Sequence, residues 1–97
     1  MIVFLYIHIN MNKLLIEMLA TMVFTFMVFA SGNYLVIGST LAILIYLSGG
    51  YVLVNPIVAL TQWLYGTFDT TYMINMINVE IIGALLGFYA YRWIYNI

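Results

Sequence analysis

Charge is nearly absent from this chain. Lys13, Glu17, Asp69, Glu80 and Arg92 are the only charged residues among 97, or 5%, where an ordinary soluble domain carries roughly 25%. The chain is 67% hydrophobic, and five charged side chains cannot cover a water-facing surface for it, so its solvent is expected to be lipid. Cysteine is missing, which excludes disulfides, thiolate metal sites and a cysteine nucleophile but leaves the redox compartment open. A net charge of −1 with a single His gives no basic field, so nucleic acid as a partner and a polybasic lipid anchor both drop out. No nucleophile, metal cluster or phosphate loop accompanies the carboxylates, and neither enzyme activity nor a cofactor is expected.

What is present is apolar sequence cut into lengths. A membrane-spanning helix needs about 20 apolar residues to cross roughly 30 Å of hydrocarbon. Residues 13–31 meet this, interrupted by Glu17, and stop at Ser31-Gly32-Asn33. A second run, 34–50, ends at Ser48-Gly49-Gly50; it is short, and either tilts little or borrows residues up to Val54. The third, 72–95, carries Glu80, Gly83 and Gly87 and closes with Tyr91, Arg92, Trp93 and Tyr95, the side chains a headgroup boundary prefers. Residues 1–12 form an apolar extension with His8, too short to span alone. They extend the first helix, lie in the interface, or precede a start at Met11. A cleaved signal peptide, with Val28 and Ala30 as small residues before a cut, is disfavoured by Glu17 within the apolar stretch.

Proline occurs once, and its place is informative. Asn55-Pro56 is a helix start: Asn is a strong N-cap, and Pro fits the first helical position, where its missing N–H costs nothing. The helix so started runs over 55–65, ends near Tyr65-Gly66 and is too short to cross, with 67–71 as a polar turn. Short apolar segments flanked by Gly and Pro read as re-entrant or as buried core. The fold class predicted is therefore all-α and integral to a membrane, with three transmembrane helices and one re-entrant half-helix.

Four segments together carry a resemblance: Glu17-Met18-Leu19-Ala20-Thr21, Ser48-Gly49-Gly50, Asn55-Pro56-Ile57-Val58-Ala59-Leu60, and residues 79–87 with Glu80, Gly83 and Gly87. In order and approximate spacing, residues 13–97 resemble a single half-repeat of the aquaporin (major intrinsic protein) family. The resemblance implies a passive channel for water or small neutral solutes, with Asn55, Pro56 and Ile57 at the constriction. Ile37-Gly38 stands where the family places an aromatic-Gly pair, so Ile37 would widen the filter. Glu17, and Glu80 in place of a family Gln, would brace the re-entrant loop, Glu80 as the neutral acid. Gly83 and Gly87 form a small-residue packing face. The half-helix start, with its unpaired N–H groups and positive dipole end, repels cations and offers donors to a neutral solute.

The departures from the family are Ile57 in place of Ala, two extra residues between Ser48-Gly49-Gly50 and Asn55, and Val58 where the second half of a full-length member has Arg. One Asn requires at least two copies, or a partner half encoded elsewhere, to close a pore, so a homo-oligomer or a partner membrane protein is expected. Lys13 and Arg92 fall on opposite sides of a three-span chain, which allows insertion in both orientations. The rival reading is a non-conducting structural subunit of a larger complex or a virion membrane. The Ile, Tyr, Asn, Met and Phe usage has A/T-rich codons and points to an organelle or viral origin. Plainer roles remain open: His8 as an interfacial residue, Tyr and Trp as interface anchors, Met as filler, Asn75 and Asn78 as vestibule or interhelical partners.

Overall fold

The computed structural model describes the backbone of residues 2–50 and 52–96 and the side chains of residues 12–50 and 52–96. The expectations attached to His8 and to the choice of start between Met1 and Met11 lie outside the described residues.

The described residues form four helices: α1 (Ile2–Ser31), α2 (Tyr34–Leu47), α3 (Pro56–Tyr65) and α4 (Thr70–Tyr95). With neither Gly nor Pro inside it, α1 runs unbroken for 30 residues, and the backbone of the N-terminal extension continues this helix. It stops where Gly32 takes φ +63°, and Asn33 caps α2 by accepting from the Leu35 and Val36 N–H groups. The second run is expected over 34–50 with its stop at Ser48-Gly49-Gly50; the helix ends at Leu47, and those three residues turn with both glycines at positive φ. Residues 52–55 are not helical, so α2 borrows nothing from them and measures about 21 Å at 1.5 Å per residue. The last helix begins at Thr70, two residues before the expected start, because the Asp69 carboxylate accepts the Tyr72 N–H as its N-cap.

Helices α1 and α4 make the principal contact, while α2 lies on α1 and α3 on α4. The α1–α4 seam is built on glycine. A Cβ on Gly83 would run into the Met18 carbonyl oxygen and lie 3.0 Å from Thr21 Cβ. One turn on, Gly87 repeats the relation with the Met22 carbonyl and Thr25 Cβ. Only a residue without Cβ lets the two backbones come this close. Beyond the glycines, Phe29 meets Phe88 and Tyr91, and Phe26 meets Tyr91 and Tyr95. Contacts that climb both helices together mean that α1 and α4 run parallel.

The chain from 32 to 69 must therefore travel back. Leu44, Leu47, Ser48 and Val52 face Ile16, Leu19, Ala20 and Val23, so α2 stops level with the middle of α1. The return continues in α3, which descends α4 until Trp63 Nε1 donates to Thr70 Oγ1 at 3.0 Å. A Gly66 at φ +97° ends α3 and separates it from α4. The result is an elongated molecule of 46 × 23 × 22 Å with one interrupted helical leg against two continuous ones. Two helices, Asn12–Ser31 within α1 and Thr70–Tyr95, are long and apolar enough to cross a membrane.

Candidate functional site

The interruption between α2 and α3 concentrates the chain's buried polar groups. Residues 52–55 leave helical geometry in a mostly apolar setting, so each of their N–H groups needs an acceptor from elsewhere. Val52, itself buried, donates to Ser48 Oγ at 3.3 Å. Leu53 donates to Glu17 Oε2 at 2.9 Å, and Val54 donates to Glu17 Oε1. Both oxygens of one carboxylate, 1% exposed, are thus spent on two successive backbone amides 36 and 37 residues away. Charge-assisted bonds of this kind are roughly twice as strong as neutral ones. Buried beside Glu17, Thr21 satisfies its own hydroxyl within α1, Oγ1 donating to the Glu17 backbone carbonyl at 2.7 Å.

The clamp holds an unfavourable backbone. Val54 has φ +56°, a conformation that a β-branched residue avoids. This twist lets consecutive N–H groups converge on one anion and aims the chain into α3. Asn55 then caps that helix, its Oδ1 accepting the Ile57 N–H at 2.9 Å, with Pro56 at the first helical position. With Oδ1 facing the helix, the amide Nδ2 points away from it. Asn55, Pro56 and Ile57 all lie on the outer surface, and Ile57 is 69% exposed.

Glu80 enters from α4 at the same level and is 2% exposed. The Glu17 carboxyl and the Asn55 backbone are its polar neighbours, yet neither Glu80 oxygen has a hydrogen-bond partner among the described residues. Glu80 thus stands beside the loop it is expected to brace, next to the Asn55 backbone. Met73 and Met76 on α4 and Ala59 on α3 are buried as well.

Of the residues singled out in the sequence, the structure brings together Glu17, Glu80 and Asn55, with Pro56 and Ile57 following. Ile37 stands elsewhere, half-buried at the start of α2 and about 15 Å along the helix axis from its end. Asn75 and Asn78 are exposed on α4. Ser48, Thr21 and Val54 were missed as parts of the site. Thr21 had a signal, a hydroxyl four residues after an acid in an apolar run, and Ser48 was legible as a helix stop and as part of the resemblance, but not as an acceptor for the loop. Nothing in the sequence marks Val54 as left-handed.

A scan against protein-family models, a search of curated proteins and a search of solved structures each found no match to this chain.

Proposed function

We propose that this chain is an integral membrane protein whose three crossings are α1, the broken pair α2–α3, and α4, with α3 as a half-helix starting near the bilayer centre. Three facts support the reading. Only 17% and 28% of the two long apolar windows are buried within the fold, so most of their side chains keep some surface outside it, unlike those of a soluble core helix. Parallel α1 and α4 require one net crossing between them, and α2 and α3 together supply about 36 Å of helix, enough for the hydrocarbon core. Glu17 and Glu80, level with the α3 start, lie within about 7 Å of the midpoints of their windows along the helix axes.

The function proposed is that of half a channel, resembling the aquaporin family: passive permeation of water or small neutral solutes, completed by an inverted second copy or a partner half. The observation that carries it is the α3 start, where a positive dipole end and an outward-facing Asn55 amide stand on an exposed surface, anchored from behind by Glu17. Osmotic swelling of vesicles containing only this chain tests the reading. Permeability above that of protein-free vesicles is expected, and Ile57→Trp, at a side chain with no bond in the loop, should remove it. Permeability equal to empty vesicles, with the protein shown to be inserted, overturns conduction.

The second reading, a non-conducting structural subunit, is favoured by Ile57 itself. A large apolar side chain occupies the face that a water path needs to keep open and polar.

A further inference from the structure

We infer that Glu17 and Glu80 bind a single proton between them, and that this proton locks the 52–55 loop onto the α1–α4 seam. The inference rests on the loop geometry and not on conduction.

Loop bonding is complete up to one place. Ser48 takes the Val52 N–H and Glu17 takes those of Leu53 and Val54, which leaves Asn55, whose backbone faces Glu80. Two carboxylates buried side by side cannot both be ionised without a counter-charge. Glu17 already uses both oxygens as acceptors, the behaviour of an anion, so the proton belongs to Glu80. A protonated Glu80 has one donor and one acceptor. Its O–H turns to a remaining lone pair of Glu17, and its carbonyl oxygen takes the Asn55 N–H. Both orphaned oxygens are thereby satisfied and four successive loop amides are held.

Glu17 on α1 is the charged group that bears on Glu80. The segment 52–55 and α3 contribute no titratable side chain there. Asp69 at the cap of α4 and Arg92 on it stand 11 and 12 residues away, about 16 Å or more along the axis. Lys13 lies one turn from Glu17 on α1, about 6 Å along the axis, and is not among the groups that bear on Glu80. Three such groups that could hold a metal ion are not found together among the described residues.

Losing the proton would leave two negative charges in contact with one loop and free 52–55. Infrared spectroscopy of the full chain in vesicles reads the proton directly as a carboxylic-acid C=O stretch at neutral pH. The band is expected in the native protein and absent in Glu80→Gln, which keeps a carbonyl for Asn55 and an N–H for Glu17. Raising the pH until the band disappears should lower the protection of the Leu53 and Val54 amides, taken relative to the base-catalysed intrinsic exchange at the same pH, roughly tenfold or more in the native chain and leave their protection in Glu80→Gln unchanged. A native protein without the band, a band surviving in Glu80→Gln, or a band that appears only when sodium is withdrawn, as for a cation held by two ionised carboxylates, overturns the proposal. None of these readouts depends on whether solute passes.

Discussion

At the residue scale, Glu17 and Val54 form one device: an anion that collects amides, and a backbone twist that presents them. Replacing Glu17 by Ala strands two N–H groups in a part-buried loop and should cost about 2–6 kcal/mol, at 1–3 kcal/mol for each unsatisfied donor. Glu17→Gln keeps one acceptor oxygen and sets an N–H against the other amide, so it should cost about half as much. Thermal unfolding in detergent micelles checks the order, and equal losses would mean that the two bonds are not separately formed. Val54→Gly should act in the opposite direction. Relief of the left-handed strain is worth about 1–2 kcal/mol, partly offset by roughly 0.5–1 kcal/mol of glycine entropy, leaving a gain under the same assay. A loss there would show that packing of the Val54 side chain outweighs the strain. A carboxylate in an apolar run announces that something must satisfy it, which is why Glu17 and Glu80 could be picked out from sequence. Which amides each one meets depends on a φ angle that no residue type announces, so Ser48 and Val54 stayed hidden.

At the element scale, punctuation was more legible than length. Asn55-Pro56 and Gly66 bracket α3 because each has a strong local preference: a side-chain acceptor, a preset φ, and freedom at φ +97°. The end of α2 is legible in the same way: Ser48-Gly49-Gly50 reads as a stop, and the helix ends at Leu47 just before it, with Ser48 taking the Val52 N–H. The start of α4 was placed too late because Thr67 to Thr71 reads as turn by composition, although Asp69 alone supplies the cap. Asp69→Ala should therefore cost about 1 kcal/mol and fray the first turn of α4, whereas Asp69→Asn, still a capping residue, should cost little. Exchange of the Tyr72 amide reports it. The α1–α4 seam is less forgiving. At Gly83 or Gly87 an Ala would meet a helix carbonyl, not the end of a flexible side chain, so the helices must part. A loss of about 1–3 kcal/mol is expected for either, with the double variant failing to hold α4 against α1. Wild-type stability in Gly87→Ala would mean that the seam is looser than its geometry.

At the scale of the whole molecule, hydropathy counts crossings but not their sense, and the sense decides what the chain can assemble into. The parallel course of α1 and α4 puts Lys13 toward one end of the bundle and Arg92 toward the other, so neither end is marked strongly as the cytoplasmic one. A protein inserted in both orientations can bring two α3 starts face to face across an in-plane two-fold axis, the arrangement the channel reading requires. The missing cysteines make this directly measurable, since any introduced thiol is unique. In vesicles, a Cys at Asn12 and, separately, one at Thr70, both exposed and both at the same end of the bundle, should each be labelled in part by a membrane-impermeant reagent and fully after permeabilisation. Ile57→Cys should then form a disulfide-linked dimer on mild oxidation, because only a face-to-face pair brings two such Cβ atoms within about 4 Å. Ile82→Cys, on an exposed part of α4 away from the α3 start, should stay monomeric under the same conditions. Labelling confined to one side would rule out the inverted pair and transfer the channel reading to a separately encoded partner half. Efficient cross-linking at Ile82 and none at Ile57 would instead mean that copies meet through their long helices, leaving the α3 start without a mirror and favouring the structural role.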